Sequence, residues 1–216
     1  MEVKYYNKPF KLDKLPLDAI HVIDDWCSQE MWHQFNKNVD NTHRWSYDND
    51  VTYDDVGTTE ITWILRLFKR WMKPAGEYAE FSRPYIEKLC NDFGINFLEF
   101  GFAGINGQTQ GLQGTIHTDS YRKNNITFLW HINDTWHSDW GGSFRVYSRE
   151  SEGQRGFSKD LVDKYQIAEI EYKPNRLIII DGTLPHSADA PNTNSGYAFR
   201  KTFVARGHVA EIVDKN

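Results

Sequence analysis

Cysteine is scarce in this 216-residue chain: Cys27 and Cys90 are the two it has, too few for a disulfide framework or a thiolate zinc cluster. Such usage fits a reducing compartment, so a cytoplasmic location is expected. An excess of positive charge is missing as well. The 25 Lys and Arg against 30 Asp and Glu leave a formal charge of −5, with no electrostatic footprint for general phosphate-backbone binding, which demotes nucleic acid as a partner. No run of about 18 apolar residues occurs, and the opening MEVKYYNKPF is charged and aromatic where a signal peptide would be apolar. Neither a membrane span nor a targeting segment is expected. A GxSxG elbow, a P-loop, a dinucleotide fingerprint and an HExxH helix are all lacking, which removes the usual sequence marks of several hydrolase, nucleotide-binding and metalloprotease classes. Without repeats, linkers or low-complexity tracts, the length predicts one domain over 1–216.

Aromatic residues, by contrast, are abundant at 15%, with eight tryptophans, as a thick core or a ring-lined pocket requires. Residues 20–25 read as a short strand. Ser28 then caps a helix to about Asn38, with Met31, Trp32, Phe35 and Val39 at helical spacing. The segment 40–59 mixes acidic and aromatic residues with neither period and reads as a long loop, a candidate lid. Thr59 is placed to cap a helix over 60–72, on whose face Ile61, Ile64, Leu65 and Phe68 would form a stripe. A further helix is expected over 79–93, with Pro84 either in its first turn or breaking it and Gly94 ending it. From residue 95 short alternating runs take over, at 96–105, 114–119, 125–133, 143–147, 168–172, 176–181 and 198–206. Glycine or proline turns separate them. Helices followed by about eight strands predict an α+β chain, a double-stranded jelly roll over about 95–208 with N-terminal helical support over about 1–94.

Chemistry concentrates in GTIHTDSYRKNNITFLWHINDTWHSDWGG, residues 114–142. On a strand, His117 and Asp119 share one face. His186 follows RLIIIDGTLP, a buried-looking strand and a tight turn, from which its ring can be aimed back at them. Two imidazoles and one carboxylate form the facial triad of non-haem Fe(II) oxygenases, which leaves three coordination positions open. A lone His-x-Asp is weak evidence, and His137-Ser138-Asp139 repeats it. The first pair is preferred because it ends a strand-like run, whereas the second sits in a polar turn. Zinc accepts the same donors, but a zinc hydrolase also needs a general base or acid at its water. Arg200 lies on FRKTFVARG, where alternation puts it with Thr202 and Val204 on one face and Lys201, Phe203 and Ala205 on the other. An arginine inside a barrel requires an anion. That anion is a ligand carboxylate or an acidic residue of the fold, and Lys201 competes for the same role.

Taken in order, GTIHTD, ITFLWHIN, DTWHSDWGGSFRVY, KPNRLIIIDGTLPH and RKTFVA resemble the Fe(II)/2-oxoglutarate-dependent dioxygenases. Within them the likeness is to the prolyl 4-hydroxylase-like group, including compact forms from phages and bacteria, and it covers about residues 97–207. The resemblance implies His117, Asp119 and His186 as iron ligands, with the Trp-Gly-Gly turn structural. It implies Arg200 as the partner of the distal carboxylate of 2-oxoglutarate, with Thr202 beside it. His131 stands where the family often has tyrosine, and would be a second contact to that carboxylate. Oxidative decarboxylation to succinate and carbon dioxide would be coupled to hydroxylation of a C–H bond, with O2 as co-substrate and ascorbate a candidate reductant. Peptidyl proline is the expected substrate. A small metabolite, a nucleobase, or a non-catalytic jelly-roll binding module are the alternatives. Trp45 and Tyr47 of the 40–59 loop, and Tyr121 and Arg122 of the 121–125 turn, are candidates for substrate contact. For a phage-borne chain the compartment would be the host cytoplasm.

Overall fold

The computed structural model describes residues 1–15, 17–42, 44–48, 62–69, 72–151 and 159–210. Strand β1 (Glu2–Tyr6), not anticipated from the sequence, lies parallel to β2 (Ala19–Ile23), which is buried at every position. Ser28 caps α1 (Gln29–Asp40), its hydroxyl accepting from Met31 N at 3.3 Å. Trp32, Phe35 and Val39 are the stripe that this helix buries. Within the expected loop, Ser46–Asp48 form a short strand, β3, and residues 49–59 lie outside the described set.

The expected helix over 60–72 is a strand where it is described, β4 (Thr62–Lys69). Ile64, Leu65, Leu67 and Phe68 are all buried: Leu65, Leu67 and Phe68 join the helix-side core, with a bulge between Arg66 and Phe68 in the pairing with β6, and Ile64 lines a cleft, so both faces of β4 carry buried apolar residues. A strand buried on both faces reads as a nearly unbroken apolar run, and such a run fits a helical stripe by coincidence. Short β5 (Lys73–Pro74) pairs back onto it. A 3-10 turn, Glu77–Ser82, replaces the start of the next expected helix, so α2 runs Arg83–Phe93. Pro84 sits in its first turn, where a missing N–H costs nothing. Gly94 ends it at φ 65°, a left-handed conformation that suits glycine.

The remaining elements are β6 (Phe97–Gln108), β7 (Asn125–His131), β8 (Phe144–Tyr147), α3 (Lys159–Tyr165), β9 (Gln166–Ile170), β10 (Leu177–Asp181), β11 (His186–Ala188) and β12 (Arg200–Val209). Sequence periodicity marks neither α3 nor β11. The expected strand at 114–119 does not form. His117 instead makes one antiparallel bridge to His186, with N–H···O distances of 3.0 and 2.8 Å, which lays the segment along the edge of β11.

The strands form two sheets. The major sheet runs β1-β2-β10-β7-β12-β6-β4-β3, and the minor one β11-β8-β9. The fold is an α+β double-stranded β-helix. In its centre Thr202 of β12 pairs with Asn106 of β6 on one side and His131 of β7 on the other. Alternation then sorts the residues into two faces. Phe203, Ala205, Ile105, Ala103, Trp130 and Phe128 join the core that includes Trp32, Phe35, Leu89 and Phe93 of α1 and α2. Leu129, Val204, Ile178 and Ile180 point the other way and pack on Phe144, Val146, Ala168 and Ile170 of the minor sheet. Burying each such side chain is worth about 1.5–3 kcal/mol relative to exposure. The two apolar layers fix the sheets around the polar strip left between them. Among the described residues no helix is long and apolar enough to cross a membrane.

Candidate metal centre and anion pocket

His117, Asp119 and His186 converge, with one ligand atom from each lying within 4.8 Å of the others. The His186 Nε2 to Asp119 Oδ2 distance is 3.6 Å, and the His117 Nε2 to Asp119 Oδ1 distance is 4.0 Å. The bridge between His117 and His186 brings the two rings to a centroid separation of 4.5 Å. Asp119 is held by the backbone too: its N–H and that of Ser120 both donate to Gly182 O at 3.0 Å, in the turn after β10. Each imidazole is aimed by its other nitrogen. Nδ1 of His117 lies 3.1 Å from Thr115 O, and Nδ1 of His186 lies 2.8 Å from Leu184 O. Those carbonyls only accept, so both Nδ1 atoms carry the proton and both Nε2 lone pairs face Asp119, the arrangement that metal-bound histidines use. The donor set therefore fits a divalent metal.

Asp119 is fixed at both oxygens. Thr127 donates its hydroxyl to Oδ2 at 2.6 Å, and the Arg206 guanidinium donates to Oδ1. Burial alone would raise this carboxyl's pKa. The Arg206 guanidinium is the foremost influence against burial, joined by the Thr127 hydrogen bond, and the carboxyl is held well below the usual carboxylate range. A cleft of about 70 Å³ opens on the three ligands, lined further by Ile64, Phe102, Leu129, Val204 and Arg206. A larger groove, about 450 Å³, lies between α2 and the start of β6 and contains none of the three.

Along the same face of β12 sits Arg200, 1% exposed. Its Nε donates to Gly142 O and its Nη1 to Gln108 Oε1 and Thr202 Oγ1, all at 2.9 Å, and its guanidinium lies 4.7 Å from the Tyr172 ring centre. Among the described residues no carboxylate lies within ion-pair distance of it. Burial pushes its pKa down to about 10, against the favourable influence of Tyr172 and Asp189. His131 is fully buried beside it and stacks on Tyr172 at 4.0 Å and 13°. Its Nδ1 accepts from Lys173 N at 3.3 Å, so Nε2 carries the proton, and that Nε2 has no partner. A buried guanidinium without an anion, next to a buried N–H without an acceptor, fits a ligand carboxylate.

At the level of sequence, no family model and no curated protein matches the chain. Structures do match. A prolyl hydroxylase from Trichoplax adhaerens, in complex with a hypoxia inducible factor oxygen degradation domain peptide fragment, superposes with a TM-score of 0.59 at 17% identity, over 87% of this chain and 82% of that one. A Pseudomonas putida prolyl-4-hydroxylase superposes at 0.59 with 12% identity, over 88% and 92%. The fold is that of the prolyl hydroxylases.

Within this prolyl-hydroxylase fold the other expected residues fall as follows. Lys201 points to the opposite face from Arg200 and pairs with Asp40 at 2.7 Å, which removes it from the anion pocket. His137 and Asp139 stay in the turn before Gly141, where His137 packs on Trp140. That turn is a support: Trp136 donates to Gly141 O at 3.0 Å, and Gly142, at φ 82°, leaves the space a Cβ would take from Trp136 and Arg200. Trp45 and Tyr47 do not reach the cleft. Tyr47 pairs with Trp63 and Trp45 packs on Phe199, both on the helix side of the major sheet. Between them Ser46 takes the cleft side, since one-residue alternation sends neighbours to opposite faces. Tyr121 is 74% exposed and Arg122 pairs with Glu99 at 2.9 Å; both flank Asp119 in sequence, and neither lines the cleft. Sequence reading missed Gln108, Asn106, Tyr172 and Arg206. For Arg206 the signal was present, because extending the Arg200, Thr202, Val204 alternation by one step reaches it.

Proposed function

We propose that this chain is an Fe(II)- and 2-oxoglutarate-dependent dioxygenase that hydroxylates a peptide at proline, as one domain with residues 95–208 as its working part. The observation that carries the reading is the pairing of two unfilled demands on one sheet face: three convergent metal donors, and a buried Arg200 and His131 N–H with no anion. A metal-only hydrolase would use the first and leave the second unexplained. When bound, Fe(II), 2-oxoglutarate and O2 supply the oxidising chemistry, coupling decarboxylation to C–H hydroxylation with release of succinate.

The protein's own residues bind, orient and shield. His117, Asp119 and His186 hold the metal on one side, their tautomers and rotamers set by Thr115 O, Leu184 O and Thr127. Arg200 and His131 hold the distal carboxylate through charge-assisted hydrogen bonds, with Thr202 and Gln108 keeping the guanidinium in place. Ile64, Phe102, Leu129 and Val204 wall the cleft against water. Proline in a peptide is favoured as substrate by the fold shared with a prolyl hydroxylase in complex with a peptide.

The test is a succinate-release assay with peptide, amino-acid and nucleoside pools, with and without ascorbate. Proline-dependent succinate supports the full reading; release with nucleosides or free amino acids keeps the reaction and replaces the substrate. Under anaerobic conditions Fe(II) plus 2-oxoglutarate should give a weak visible charge-transfer band from the bidentate chelate, absent when either is left out. A binding module would give none.

A further inference from the structure

We infer that Arg206 makes metal binding depend on an anion: its charge weakens the site for a lone divalent cation and is compensated when a dianionic co-ligand accompanies the metal. The inference rests on the metal-binding reading above and adds to it a regulatory property of the same site.

Arg206 occupies the cleft face of β12, opposite Phe102 on β6 and Thr127 on β7. Its guanidinium donates to Asp119 Oδ1, lies 5.3 Å from the Phe102 ring centre, lines the cleft, and has a side chain 20% exposed. A guanidinium keeps its charge at any working pH. Asp119 and Arg206 therefore sum to zero, and the two neutral histidines leave that unchanged. Among the described residues lining the cleft there is no second carboxylate, and most of the remainder are apolar. A divalent cation alone would leave the cleft at +2, with Arg206 already bonded to one of its ligands. Few charges are so poorly screened as those in a narrow apolar cleft. The chelating carboxylate of the dianion lowers that sum to +1, and its distal carboxylate neutralises the otherwise unpaired Arg200.

Thr127 keeps Oδ2 and Arg206 keeps Oδ1, so both Asp119 oxygens carry a hydrogen bond before any metal arrives. A residue that only oriented the carboxylate would need no charge for this, as Thr127 demonstrates. Because coupling is reciprocal, the metal must raise affinity for the dianion by the same factor. Arg206 is thus a positioning residue for Asp119 and, through its charge, the source of the coupling.

Calorimetric titration with Mn(II), anaerobically, with and without saturating 2-oxoglutarate, tests this. Chelation by 2-oxoglutarate itself sets a baseline gain in any variant, so the comparison is between proteins. Arg206→Gln keeps a donor for Asp119 and removes the charge; it should bind Mn(II) alone about tenfold more tightly than wild type and show a correspondingly smaller gain from 2-oxoglutarate, within the usual range of about 5- to 150-fold for coupled sites. Arg206→Lys, which keeps the charge, should retain the wild-type gain. An unchanged gain in Arg206→Gln, or a lost gain in Arg206→Lys, overturns the inference while leaving the metal site standing. If wild type and His186→Ala give the same Mn(II) isotherm, the metal reading fails, and the inference with it.

Discussion

The two faces of the major sheet are built from alternate residues of the same strands and obey opposite rules. On the helix side Phe203 packs edge to face on Phe35, Trp130 and Phe128 lie tilted against Phe35 and Phe93, and Trp130 stacks on Tyr85; the one polar side-chain atom of Trp130, Nε1, donates to Asn175 Oδ1 at 3.1 Å. One residue away in each strand stand His131, Thr202, Arg206 and Thr127, with Arg200 and Asn106 in the same layer. There His131 Nε2 and Asn106 Oδ1 are buried without partners. Leaving such groups bare costs stability, and folds tolerate the cost where a ligand is to complete the bonds. The helix side specifies the structure; the cleft side is left unfinished by protein atoms.

That contrast can be broken on either face. The largest effect is expected from Asp119→Ala, which should abolish Fe(II) or Mn(II) binding by calorimetry and all succinate release, while Asp139→Ala leaves both intact. The reverse result would move the metal site to the His137 turn. Next comes Phe203→Ala on the helix side, expected to cost about 3–5 kcal/mol in urea unfolding because the surrounding rings cannot close the cavity. Its partner experiment is Arg200→Met, one face over. There the loss of an unpaired buried charge offsets the acceptors left behind on Gln108 and Gly142, so stability should change by under about 2 kcal/mol. Co-substrate affinity measured by calorimetry should instead fall by roughly 3–5 kcal/mol, the cost of unpairing a buried charge. Equal effects of the two substitutions on unfolding would deny that the faces differ.

How much of this was readable beforehand follows the same division. The triad was legible because His-x-Asp and a distant histidine after a buried strand are a sparse, ordered pattern, and Arg200 because strand alternation aims it inward. The strand β4 was not, since burial on both faces erases the period of two that marks a half-exposed strand. Segment 114–119 misled differently: its apolar residues suit a strand, yet beside β11 it makes a single bridge. Composition offers Trp45 and Tyr47 of the 40–59 segment as candidates for substrate contact, without saying which face they take. Their face is set by the pairing of β3 with β4, a long-range register that local sequence does not carry. Gln108 and Tyr172 became visible only when three strands and a turn met around Arg200.

The smallest predicted effect separates the faces by pH. His131, in the cleft layer, and His21, which pairs with Ile179 and lies 3.0 Å through Nδ1 from Tyr6 Oη, are both held below the ordinary histidine pKa. For His131 burial dominates, then the charges of Arg200 and Arg176; for His21 burial dominates, then Lys4. In each case the unfolded chain takes up a proton near pH 6.5 that the folded chain refuses. Stability is therefore full above about pH 6.5 and declines as pH falls below it, by at most about 1.4 kcal/mol per pH unit for each group. His131→Gln and His21→Gln should each flatten the slope of unfolding free energy between about pH 6.5 and 5. Saturating Mn(II) and 2-oxoglutarate distinguish them. A carboxylate against His131 Nε2 favours the protonated ring and raises its folded pKa, so the ligands should remove the His131 share of the slope and leave that of His21. Should both shares survive ligand binding, His131 does not touch the carboxylate, and Arg200 holds it alone.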